Sequence, residues 1–173
     1  MKSGYLILVS IVAFTIILNK SYSQDQRLQD AWREYNSAKN AYTSDRNTQA
    51  TNLFRQAIQY ANQCIIDFEP QALSMQDSLT RRRVPCNDCI GTVTPTIRQV
   101  CFSRWALNDV ATAYFIKGKS VQYLRLINPR IAGGDLVLAR NGIRQLSYGR
   151  CWNPGGFFWS PCEGLRGNCC PTN

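Results

Sequence analysis

Beyond its first two dozen residues, the chain carries its apolar positions at helical spacing. Leu28, Trp32, Tyr35, Ala38 and Tyr42 recur at steps of three and four, placing them on one face of a helix. Ser44 and Asp45 supply turn and capping chemistry before a second run, Ala50, Leu53, Phe54, Ala57, Ile58, Ala61, Cys64, Ile65 and Phe68. Pro70 is expected to end or bend this helix, because proline lacks the backbone donor that a helix interior requires. So short a turn predicts an antiparallel pair. A third run, about 97–127, carries Trp105, Leu107, Val110, Ala111, Tyr114, Phe115, Val121, Leu124 and Leu126, with Gly118 as a candidate break. A fourth, 136–148, comes after the turn residues Asn128-Pro129 and Gly133-Gly134, with Asp135 as N-cap and Leu138, Ala139, Ile143 and Leu146 facing inward.

Between the second and third runs, about 80–97, Arg81, Arg82, Arg83, Pro85, Cys86, Cys89, Gly91 and Pro95 mark a loop joining two halves. From residue 151 the chain reads Cys-Trp-Asn-Pro-Gly-Gly-Phe-Phe-Trp-Ser-Pro-Cys, and the end is expected to be an irregular tail stapled over the helical body. No segment alternates with period two for long, so the fold class is all-α: a helical domain to residue 150 and a 151–173 tail packed on it.

Leu107, Val110, Ala111 and Tyr114 stand at the packing positions of the first helix of a tetratricopeptide-type hairpin, and Ala50, Phe54 and Ala57 at those of a second. Tyr35, Ala38 and Tyr42, and likewise Ala139, Ile143 and Leu146, match in part, and Lys39 departs from the pattern. The chain therefore resembles tetratricopeptide-like helical-hairpin repeat proteins. That resemblance implies two antiparallel hairpins and a role in binding a partner.

The opening residues add a compartment. Met1 and Lys2 precede an apolar stretch at 5–18, and Ser21 and Ser23 supply small residues before Gln24, so residues 1–23 are expected to form a signal peptide cleaved after Ser23. No later apolar run approaches membrane-spanning length, so no transmembrane anchor is expected. The protein is accordingly expected to be secreted. All eight cysteines, Cys64, Cys86, Cys89, Cys101, Cys151, Cys162, Cys169 and Cys170, lie after the leader, and an even count in an oxidising compartment predicts four disulfides. Their number allows on the order of a hundred pairings. A zinc site built on Cys86-x-x-Cys89 would need four thiolates, since the chain has no histidine, and no metal or other cofactor is expected.

The same absence removes Ser-His-Asp and Cys-His nucleophiles, and with them the commonest hydrolytic mechanisms. Carboxylate chemistry is what remains, with Asp67, Glu69 and Asp109 as its acids and Asp109 the first to test. No catalytic motif is recognisable, and the reading is a non-catalytic extracellular binding module. The alternatives are a secreted effector, such as a venom component or host-defence polypeptide acting on membranes or receptors, and a glycan-binding or glycan-cleaving protein.

Two groups are candidate binding residues. Trp152, Phe157, Phe158 and Trp159 could stack on sugar rings or plug a core. Arg81, Arg82 and Arg83 concentrate the charge of a chain with 20 basic against 11 acidic residues, with Arg140, Arg144 and Arg150 along another edge. The partners expected are an extracellular protein or an acidic surface, anionic glycan or lipid. Nucleic acid is not expected, because the chain is exported and its aromatics are not interleaved with its basic residues. The arginine run also resembles a proprotein processing site, which would leave Cys64 alone before the cut.

Overall fold

The computed structural model describes residues 25–167 and residue 169, so the expected leader and Cys170 lie outside the described residues. Helix α1 (Gln26–Thr43) starts at Asp25, whose side chain accepts from the Arg27 backbone N–H. It buries Leu28, Tyr35 and Ala38 of the expected stripe, while Ala31 and Ala41 take the innermost places beside the half-buried Trp32 and Tyr42. Asp45, at φ +56°, closes a short turn into α2 (Asn47–Arg81).

Helix α2 runs unbroken for 35 residues. Pro70 does not end it, because Pro70 lies on the solvent side. The carbonyl it leaves without a helical partner belongs to Ile66, a residue 73% exposed on the solvent side, where the lost bond costs least. At about 1.5 Å per residue, α2 greatly overreaches α1. Its second half, with Ala72, Gln76 and Leu79 buried, therefore packs on later segments of the chain, and Gln76 donates to the Ser147 hydroxyl at 3.0 Å.

The expected third helix is two. Helix α3 (Pro95–Phe102), capped by Thr94 with proline in its first turn, ends at Ser103, and α4 (Trp105–Ile127) begins at once. Gly118 does not break α4. A Cβ there would meet the Leu165 side chain at 2.5 Å, so glycine is the residue that lets the C-terminal segment approach. Helix α4 is the axis of the molecule, buried on nearly every side between Ala106 and Leu124 and covered by α1, α2 and α5 (Gly134–Arg144). Helix α5 buries Leu136, Ala139 and Ile143. Leu138, expected inside, is exposed instead, because the inward stripe starts two residues earlier.

The tail is ordered. Strands β1 (Cys151–Asn153) and β2 (Phe157–Trp159) pair antiparallel, Cys151 opposite Trp159, across a Pro154-Gly155-Gly156 turn with Gly156 at φ +96°. Gly91 bridges to Phe158 with hydrogen bonds in both directions, 2.8 and 3.0 Å. Strands of three residues are too short to show alternation in sequence, which is why the tail reads as irregular there. A short α6 (Pro161–Arg166) comes next and lays Leu165 against α4. The described residues are all-α apart from this hairpin, and no described helix is long and apolar enough to cross a membrane.

Cys89 pairs with Cys101 and Cys162 with Cys169, and Cys86 is disulfide-bonded as well. Cys64 and Cys151 are free thiols, which corrects the expectation that all eight are bridged. Each is buried, Cys64 completely, and serves as a small apolar core residue.

Candidate functional site

A cavity of about 320 Å³ lies where α3, the first turns of α4 and the β-hairpin meet. Its walls are aromatic. Phe102, Trp152 and Phe158 form an edge-to-face triangle with centroid separations of 5.6, 5.2 and 4.8 Å, and Trp105, backed by Phe68 at 5.1 Å, lines the same cavity. The triangle is locked by the Cys89–Cys101 disulfide, which belongs to the same small apolar cluster.

Helix α4 supplies the polar base. Asn108, Asp109 and Thr112 come after Trp105 at steps of three, one and three, which places all four on adjoining turns of one side. Asn108 donates to the Cys101 carbonyl at 2.8 Å and accepts the Arg150 backbone N–H at 2.8 Å. It thus ties α3 to the hairpin. Thr112 donates to the Asn108 carbonyl at 2.8 Å. Asp109 Oδ2 accepts the Asp25 backbone N–H at 3.0 Å, so the start of α1 closes the side of the site away from the hairpin.

Burial dominates the electrostatics. It pushes the Asp109 carboxyl up to about 7; the Asp25 N–H opposes this and the Asp25 charge adds to it. It likewise pushes the Cys151 thiol up to about 11, against hydrogen bonding by Thr112 and Trp159, and raises the Cys64 thiol still further. Both sulfurs are therefore protonated at neutral pH and poor nucleophiles. The other acids singled out in the sequence are engaged elsewhere: Asp67 pairs with Arg27, and Glu69 accepts from the Tyr114 hydroxyl.

Arg150 is the residue whose place the sequence does not disclose. Its spacing reads as part of a charged edge, yet it is 1% exposed. Its guanidinium donates to the carbonyls of Asp88 (2.9 Å), Ser147 (2.8 Å), Gly149 (2.8 Å) and Cys86, and desolvation pulls its pKa down to about 10. It pins the 84–90 loop to the start of the hairpin. Arg140 and Arg144 are outside the core, and Arg81, Arg82 and Arg83 are exposed at the end of α2.

The four tail aromatics do not form one platform. Pairing in β2 sends Phe158, 1% exposed, to the side opposite Phe157, 39% exposed. Trp159 packs on Phe115 of α4 at 4.9 Å, and Trp152 turns into the cavity. Of the residues singled out in the sequence, Trp152 and Phe158 thus reach the site together, joined by Asp109, Arg150 and Cys151. Sequence reasoning misses Asn108 and Thr112, whose signal is a run of polar residues within the apolar first turns of the helix. Comparison with family models, curated proteins and solved structures returns no match.

Proposed function

We propose that the protein is a secreted, non-catalytic binding module whose ligand is a compact molecule held in the cavity between α3, α4 and the hairpin. The observation that carries this reading is the cavity's construction: mutually packed aromatic walls over a base of few polar groups. That is the usual make-up of a small-molecule site, and about 320 Å³ is near the lower end of the usual size range. Protonated thiols, and Asp109 as the one acid among the described residues that lines the cavity, favour binding over turnover. Disulfides on the 84–104 segment and the C-terminal segment support export, in keeping with the leader-like start of the chain. The resemblance to helical-hairpin proteins agrees with a contact role.

The test is titration with a neutral arene, phenethyl alcohol, monitored by tryptophan emission and calorimetry. Trp105→Ala and Trp152→Ala should each weaken binding at least tenfold while leaving the far-ultraviolet dichroism unchanged, since a stacked ring is worth about 0.5–1.5 kcal/mol beyond its buried area. Absence of binding to the native protein, or affinity indifferent to both substitutions, would refute the reading.

A second reading rests on the exposure of Arg81, Arg82 and Arg83 together at one helix end, where they can meet an anionic glycan or lipid. Replacing all three with alanine should shift elution from a heparin column to lower salt; unchanged elution dismisses it.

A further inference from the structure

We propose that the cavity selects a protonated amine, with the ammonium on the Asp109 carboxylate and the apolar body held by Trp105 and Trp152; the inference rests on the binding role proposed above. Asp109 is the one carboxylate among the described residues that lines the cavity, and it lies at the foot of the aromatic walls. Ring faces attract cations through their negative quadrupole, and a carboxylate below them adds a charged acceptor. An aromatic wall over an anionic base is complementary to a cation carrying an apolar substituent.

The neighbouring charges leave that place open. Arg150 also lines the cavity, but its guanidinium donates to four backbone carbonyls of the 84–90 loop and the 147–149 turn. Arg98 stacks on Trp152 at 4.8 Å from the ring centroid, and Arg104 pairs with Asp88 at 2.6 Å; neither lines the cavity. Around Asp109 the interacting groups are Asp25 before α1, Cys64 on α2 and Cys151 on β1. Arg27 of α1, the cation on that side, is already shared between Asp25 and Asp67. The buried carboxyl therefore holds its proton to near neutrality, and an incoming ammonium would draw it into the ionised form.

The experiment is calorimetry on the oxidised, leader-free protein with three probes of one shape: phenethylamine, phenethyl alcohol and phenylacetate. At about pH 8, where the carboxylate is free to form and the amine is still charged, the amine should bind at least tenfold more tightly than the alcohol, and phenylacetate most weakly. Lowering the pH to about 5 should weaken the amine and leave the alcohol unchanged. Asp109→Asn should bring the amine and the alcohol to within about threefold of each other, and a tenfold preference that survives the substitution would overturn the assignment. Equal binding of amine and alcohol by the native protein would overturn the amine assignment and leave the binding role standing. So would preferential binding of phenylacetate. Failure of all three probes would overturn both.

Discussion

Asp109 places a measurable pH dependence on the stability of the fold. Its carboxyl ordinarily titrates at 3.8 and is pushed up to about 7 by burial on α4, so the folded state holds a proton that the unfolded chain releases. The sign comes from linkage: below about 4 both states are protonated and nothing is lost. As pH rises from there the unfolded chain ionises first, and stability declines until the folded carboxyl also titrates near 7; above that the loss is constant. Three pKa units at 1.36 kcal/mol each set its upper size at about 4 kcal/mol. Asp109→Asn removes the ionisation and keeps an oxygen to accept the Asp25 N–H. The variant should match the native protein within about 1 kcal/mol near pH 4 and exceed it by about 2–4 kcal/mol at pH 8. Urea unfolding at four or five pH values, with disulfides intact, measures the difference directly. Two parallel stability curves across that interval would refute the reasoning, because they would mean that Asp109 is ionised and solvated in the folded protein.

Arg150→Met should cost about 3 kcal/mol or more, because it abandons several buried carbonyls at once, and Lys should not rescue it, since one ammonium cannot span them; a loss below about 1 kcal/mol in urea unfolding contradicts the network. Phe158→Ala should destabilise by about 3–5 kcal/mol and Phe157→Ala by about 0.5 kcal/mol or less, a contrast that thermal unfolding will reveal and that equal effects would negate. Alkylation mapped by mass spectrometry should mark Cys64 only after denaturation; labelling of it in the native protein would place it at the surface.

The helices are legible in the sequence because burial imposes a period, and residues such as Tyr35, Ala38, Phe54, Ala57 and Ala111 sit where that period puts them. What escapes is what depends on contacts far along the chain. Pro70 looks like a terminator until the solvent position of its turn is known. Ser103 and Arg104 carry no glycine or proline to announce the break between α3 and α4. An even cysteine count suggests complete pairing, but pairing needs proximity, and Cys64 faces the helical core. Asp109 stands out in the sequence as an acid worth mutating, yet its neighbours Cys151 and Trp152 arrive from more than forty residues away. Arg150 is the least legible, since its partners are backbone oxygens, which every residue type supplies alike.

The encasement of α4 also bears on how this sequence can drift. A helix with one wet side tolerates change at every position that looks outward, but α4 offers almost none. Divergent copies of the gene should accordingly show an unbroken block of restraint across this helix, with no rhythm of tolerant and intolerant sites, whereas α1 and α5 should alternate.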